Sequence, residues 1–508
     1  MRSRFLHPAA ILSLLITAAA AQDLASFEKR VTVKTLANGL TILICERPEA
    51  PVFSFFTHVD VGAAQEDTGK SGLAHMFEHM AFKGTDKIGT TDYAAEKLAL
   101  EKVEAGYAAY NTERTKRVGR DEQKLKQLES AWKDAIKDAQ QYVKVNEFAQ
   151  IIENNGGEGL NASTNSDETN YHYSLPSNRL ELWAYLESER FLHPVMREFY
   201  TERNVVMEER RLRTDSNPIG RLLFEQFIGA AFLAHPYHRP VVGWMSDLQS
   251  FSATDAQRFF DRYYVPANMI VAISGDVKAS EAMPLLEKYF GRLPAKPKPE
   301  DVSSVEPPQN AERRVLMHDQ AQPFYAEGYH RPDYRNPDDA TYDVIGDILS
   351  SGRTSRLYRS LVRDKGIAAQ AAGFSGFPGT KYPGMFLFFA VPTPKHTTSE
   401  LAEGIGAEIK RLKDEDVSDE ELQTVKTRAK ADLLRSLGEN EGLAAALAIN
   451  QARYGDWREL FRQIQKIDAV TKADIRRVAN QTFVPSNRTV GIIETTPRAA
   501  SPAQKGGE

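Results

Sequence analysis

Within one helical turn, His75-Met76-Phe77-Glu78-His79 places two imidazoles and a carboxylate where they can share a cation. Residues four apart stand one above the other on an α-helix, so His75 and His79 present their rings from one face. Glu78 lies within about 100° of rotation of His75 and borders the same face. Two neutral imidazoles suit Zn²⁺, which takes a third protein ligand and keeps a fourth position for water. A carboxylate beside that position can take the water's proton, because the ion lowers its pKa towards neutrality. The order H-x-x-E-H reverses the commoner H-E-x-x-H zinc motif. One Zn²⁺ per chain is expected, with His75 and His79 as ligands and Glu78 as base. The alternative reading is an ordinary helix with two surface histidines and a solvated glutamate.

The third ligand should be a carboxylate, and the segment Phe199 to Arg210, FYTERNVVMEER, offers three glutamates in a helical composition. Glu202 and Glu209 are seven apart and share nearly one helix face, whereas Glu208 is rotated about 100° away. The inward pair is therefore Glu202 and Glu209, one a ligand and one behind it, where a carboxylate orients a ligand histidine. By itself the segment also reads as a surface helix with salt-bridged glutamates.

Positioning such a site takes a large scaffold. At 508 residues the chain exceeds what one core supports, so at least two domains are expected. Its 42% hydrophobic and 26% charged residues are those of a soluble globular protein. Met1-Arg2-Ser3-Arg4, the apolar run from Ala9 and the small residues Ala19 to Ala21 read as a signal peptide over residues 1–21. That run is too short to span a bilayer, so no membrane anchor is expected after cleavage. The expected address is outside the cytoplasm, a bacterial periplasm fitting best. Losing Arg2 and Arg4 takes the formal charge from −5 to −7, which gives no reason to expect a nucleic-acid partner. The single cysteine, Cys45, excludes an internal disulfide framework.

The chain repeats itself. Leu248 to Ile273 aligns without gaps on Ile467 to Ile492, matching Ser252 with Thr471, Asp255 with Asp474, and Val265-Pro266 with Val484-Pro485. Each copy reads as a capped helix, a proline turn and an apolar strand. A looser match sets His75 to Thr85 on Asp343 to Arg353, aligning Gly84 with Gly352 and leaving Asp343, Gly346 and Asp347 at the ligand positions. The expected fold is α+β: two homologous halves, each a mainly antiparallel sheet flanked by helices, with a helical arm inserted in the first. The arm, residues 93–150, is rich in helix formers, with a turn at Arg117 to Arg120. It reads as a solvated hairpin; a substrate lid or a docking arm is the alternative. The metal-binding half would run over 22–292 and the degenerate half over 313–495, with a disordered tail at 496–508. The proline-rich linker between halves, 293–312, would let them close over a ligand. Asn38-Gly39 marks a hairpin between Val31 and Cys45. His235-Pro236-Tyr237-His238 reads as a loop, and neither a phosphate-binding loop nor a G-x-S-x-G elbow is present.

Three segments in this order resemble the M16 metallopeptidases, the pitrilysin, insulysin and mitochondrial processing peptidase group of inverzincins. They are HMFEHMAFKGT from His75, GGEGLNASTNSDETNYHYSLP from Gly156, and ERNVVMEE from Glu202. The resemblance covers roughly Val31 to Glu494. With the signal peptide read above it implies a secreted zinc endopeptidase; by the resemblance itself Glu209 is the third ligand, Glu202 supports the site, and Asn161 and Ala162 lie on an edge strand that pairs with a peptide substrate. It also implies pairing, as a homodimer or a heterodimer with an M16-like chain lacking the motif; a scaffold subunit with little activity is the rival reading. Family members active on peptides often carry an arginine and, shortly after, a tyrosine that contact substrate. This chain keeps Arg363 but has Ala369 and Gln370 where the tyrosine is expected.

Overall fold

The computed structural model describes residue 24 and residues 26–496. The expected signal peptide lies outside them, as does the expected tail apart from Thr496, whose amide donates to the Asp319 carbonyl. Among the described residues eleven strands form two sheets. The first comprises β1 (Val31–Thr35), β2 (Thr41–Glu46), β3 (Val52–Val59), β4 (Glu158–Thr164), β5 (Thr169–Pro176) and β6 (Met269–Gly275), in the order β1-β2-β6-β3-β5-β4. The second comprises β7 (Arg313–Asp319), β8 (Phe324–Arg331), β9 (Ala368–Phe377), β10 (Gly384–Pro392) and β11 (Arg488–Thr495), in the order β7-β11-β8-β10-β9. Only β2 with β6 and β7 with β11 pair in parallel, so both sheets are mainly antiparallel. The α+β architecture in two related halves is as expected.

The helices used below are α1 (Leu73–Met80), α2 (Tyr93–Arg114), α3 (Glu122–Gln140), α4 (Phe199–Arg210), α5 (Ala253–Tyr263), α6 (Asp339–Ser350), α7 (Asn440–Tyr454) and α8 (Lys472–Thr482). The repeat is legible atom by atom. Ser252 and Asp255 form a capping box at the start of α5, and Thr471 and Asp474 form the same box at α8. After each helix a proline turn carries an asparagine whose side-chain amide donates back to the helix end, Asn268 to the Tyr263 carbonyl at 3.0 Å and Asn487 to the Thr482 carbonyl at 3.0 Å.

Each half also lends a helix to the other. Leu443, Ala444, Leu447 and Ala448 of α7 cover the outer face of the first sheet, against Leu43, Cys45, Phe56 and Ala272. Conversely Leu222, Phe227, Ile228 and Ala231 of the first half pack on Phe324, Ala326, Met385, Leu387 and Ile493 of the second sheet. With both faces covered, β3 and β6 are buried almost throughout, which is why VFSFFTHV and MIVAISG lack strict alternation.

The expected hinge is a correction. The connecting segment is pinned: Glu306 accepts the amides of Leu233, Ala234 and His235, the Val302 amide donates to Tyr382, and Lys298 pairs with Asp60 at 3.0 Å. Opening the halves would expose the two shared apolar clusters, so prolines in the linker do not make it a hinge. Among the described residues no helix is long and apolar enough to cross a membrane.

Candidate metal centre

The first metal-bearing element, α1, is placed by its start and its inner face. Gly72 precedes it in the left-handed conformation at φ 94°, and a Cβ there would meet the Val242 carbonyl at 2.8 Å. Glu66, 4% exposed, accepts the amides of Gly72 at 2.9 Å and Ala74 at 2.8 Å, satisfying donors that the first turn leaves free. Asp247 holds Ser71 by its amide and hydroxyl. Phe77 then stacks on Phe260 at 4.9 Å and leans on Tyr264 at 4.4 Å, fixing the rotation of the helix and turning His75 and His79 together towards α4.

The second element, α4, buries Phe199, Tyr200, Arg203, Val206 and Arg210, leaving Glu202 and Glu209 on the face towards α1. The His75 Nε2 and His79 Nε2 atoms stand 3.5 and 3.4 Å from Glu209 Oε2. These three residues are the one group of metal-binding side chains that converges among the described residues, with ligand atoms within 4.8 Å of one another. Ligands about 2.0–2.2 Å from a tetrahedral centre stand about 3.3–3.6 Å apart, so the donor set and both histidine–glutamate spacings fit Zn²⁺. The second half rebuilds no such group: Asp347 on α6 is paired with Arg428 instead.

Surrounding groups hold the donors. His79 Nδ1 faces Glu202 Oε2 at 3.4 Å, and Lys83 ties Glu202 at 2.5 Å and Glu198 at 3.2 Å. Arg213 pairs with the other Glu209 oxygen at 2.5 Å. Burial draws the His75 imidazole down to about 4, which keeps it neutral. Burial also disfavours charge on His79, but the Glu202 and Glu209 carboxylates outweigh it and raise that ring to about 9. Hydrogen bonding to His79 pulls Glu209 down to about 2. Burial raises Glu78, against a hydrogen bond from the Thr164 hydroxyl at the end of β4.

Thr164 lies in the GGEGLNASTN segment that the resemblance placed on an edge strand; Lys83, Arg213 and Glu66 were not singled out from the sequence. Arg213 had a signal, since it follows Glu209 by one helical turn. Lys83 follows His79 at the same spacing, although α1 ends at Met80. Glu66 had none, because its partners are backbone amides. Asn161 and Ala162 do lie on the edge strand: β4 pairs only with β5, and Asn161 is exposed with its Oδ1 accepting the Ala162 amide at 2.9 Å. Arg363 is not brought to the centre. It is exposed and paired with its neighbour Asp364 at 2.6 Å. His235 is buried in the loop the sequence indicated, its Nδ1 accepting the Tyr237 amide.

Comparison with known proteins follows the same division of the chain. The sequence model described as insulinase, peptidase family M16, matches residues 41–115 and 135–243, and that of the peptidase M16 inactive domain matches 250–429. The chain belongs to the M16 peptidase family. A zinc protease PqqE from Helicobacter pylori is 29% identical over 492 residues, covering 95% of this chain and 96% of that one. The crystal structure of a protease from Helicobacter pylori superposes with a TM-score of 0.77 at 28% identity, over 91% and 99% of the two chains. The periplasmic protease PqqL from Escherichia coli shares the M16 fold at 18% identity and a TM-score of 0.66; the match spans 93% of this chain but 49% of that one. Residues 116–134, outside the M16 match, are the turn of the arm and the first two-thirds of α3.

Proposed function

We propose that this chain is a secreted zinc-dependent endopeptidase that cleaves peptides or unfolded segments. The observation that carries the reading is the meeting of His75, His79 and Glu209 from two helices, with Glu78 beside them against the end of an open edge strand. His75, His79 and Glu209 would hold one Zn²⁺ per chain. When bound, the ion acidifies water and polarises a scissile carbonyl. Glu202, braced by Lys83, orients His79; Arg213 steadies Glu209. Glu78 takes the proton of the attacking water and returns it to the leaving amine. An extended substrate adds to the free edge of β4 along Asn161 and Ala162, its backbone paired whatever its side chains. Export to a periplasm is supported by the residues 1–21 pattern.

Because the halves of one chain are interlocked, enclosing a substrate calls for a second chain, either another copy or an M16-like chain without the motif. A scaffold reading rests on one observation: Ala369 and Gln370, both exposed at the start of β9, stand where the family's substrate-contacting tyrosine is expected.

The test compares wild type with Glu78→Gln for zinc content and cleavage of an unstructured peptide library. Both should hold about one zinc, and loss of the base should reduce cleavage by about 10²–10⁴-fold. Full activity in the variant would remove Glu78 from its role; absence of zinc from both would overturn the reading.

A further inference from the structure

We infer that the cleft between the arm and the back of α4 is a binding site for a small aromatic anion. The cleft has a volume of about 630 Å³, within the range of small-molecule sites, and is lined by Tyr110, Arg114 and Trp132 of the arm with Tyr200, Arg203 and Asn204 of α4. Tyr200, Asn204 and Met207 occupy the side of α4 opposite Glu202 and Glu209, so this cleft and the metal centre share a helix but no surface.

Arg203 carries the inference. Among the described residues six arginines are buried: 190, 197, 203, 210, 331 and 356. Five of them meet a carboxylate: Arg190 meets Glu187, Arg197 meets Glu96, Arg210 meets Glu225, Arg331 meets Asp339, and Arg356 meets Glu421. Arg203, 5% exposed, pairs with none among the described residues. Its Nη1 donates to the Phe251 carbonyl at 3.0 Å, and its Nε has no partner. The rings of Tyr107 and Tyr200 lie 4.8 Å from the guanidinium and that of Trp132 5.7 Å. These ring contacts offset part of what a buried guanidinium loses by leaving water, but they supply no opposite charge.

The rest of the lining has the same bias. The Trp132 Nε1–H is buried without an acceptor. Arg114 donates only to the Asn111 side chain and the Gln249 carbonyl. The one carboxylate present, Glu129, is taken by Lys133 at 2.5 Å. An oxyanion between Arg203 and Arg114 supplies the missing charge and acceptors. The Tyr110 ring, stacked on Trp132 at 5.2 Å and 16°, offers a flat wall for a planar group on the same molecule. Carboxylate and phosphate heads share this chemistry.

Calorimetric titration of the full mature chain separates the sources. Indole-3-acetate presents a ring with a carboxylate, adenosine 5′-monophosphate a ring with a phosphate, adenosine the ring alone and inorganic phosphate the head alone. At least one of the first two should bind saturably at one site per chain, more tightly than adenosine or phosphate. Arg203→Met, which keeps the packing, should weaken that binding at least about tenfold, as loss of a charged hydrogen-bond partner does. Arg114→Ala should weaken it severalfold, and Arg476→Ala, remote from the cleft, should leave it unchanged. Should Arg203→Met fail to fold by circular dichroism, Arg114→Ala decides. Equal affinity in wild type and the deciding variant, or no binding of either aromatic anion up to about 10 mM, overturns the assignment.

Discussion

Glu66 lies nine residues before His75 and shares no motif with it, yet both its oxygens hold the first turn of α1. Burial pushes this carboxyl from an ordinary 4.5 up to about 8. The sign follows directly: between those values the folded protein keeps a proton that the unfolded chain releases. Its contribution to stability is fully present below about 4.5 and is lost as pH rises through about 8. Glu66→Gln cannot ionise and replaces one acceptor by a donor. It should be about 1 kcal/mol less stable than wild type near pH 5, with the gap closing and then reversing as pH rises towards 8 in denaturant titrations. A gap that widens with pH would show Glu66 to be ionised in the fold. His75, Glu78 and His79 were legible because metal chemistry fixes residue type and spacing within one turn. Choosing Glu209 over Glu208 needed only the helical phase, and its role as ligand came from the M16 resemblance. Glu66 was illegible because capping partners are set by the path of the chain.

At the scale of elements, repetition made the fold readable: the Ser252–Asp255 and Thr471–Asp474 boxes, with Pro266 and Pro485 after them, recur because the same helix-turn-strand unit is built twice. The arm was legible as helix but not as to what it touches. Tyr107 and Trp132 pack against Tyr200 of α4 at 4.6 and 5.1 Å, Glu104 accepts the Tyr200 hydroxyl at 2.5 Å, and Arg197 is held by Glu96. These contacts brace the helix that carries Glu209 from behind, which a lid would not do. Trp132→Ala should therefore remove about 3–5 kcal/mol of stability in chemical unfolding, as deletion of a buried indole does. Its zinc content should fall in parallel. Val118→Asp at the tip, where the side chain is 90% exposed, should stay within about 0.5 kcal/mol of wild type. A Trp132→Ala protein of unchanged stability would mean that the arm merely rests on the body.

For the whole molecule, the sequence showed two halves and a proline-rich join but not their exchange of helices. The apolar face of α7, with Leu443 and Leu447, announces burial without naming the sheet that provides it. Proline content likewise suggested a hinge, whereas Glu306, Val302 and Lys298 fasten the join along its length. Interlocking makes the covalent link dispensable to the folded state. A protease site placed between Pro294 and Pro299, where the backbone forms no regular element, should allow cutting without separation. The two fragments should co-elute in size exclusion and retain zinc. They should part only under conditions that also unfold the intact chain, because parting exposes Phe227, Met385 and Leu387 on one side and Phe56, Leu443 and Leu447 on the other. Leu447→Asp, which places a charge in the second cluster, should release the fragments after cutting while the uncut chain still folds. Fragments that drift apart at once in the otherwise unaltered protein would restore the hinge and with it closure within a single chain.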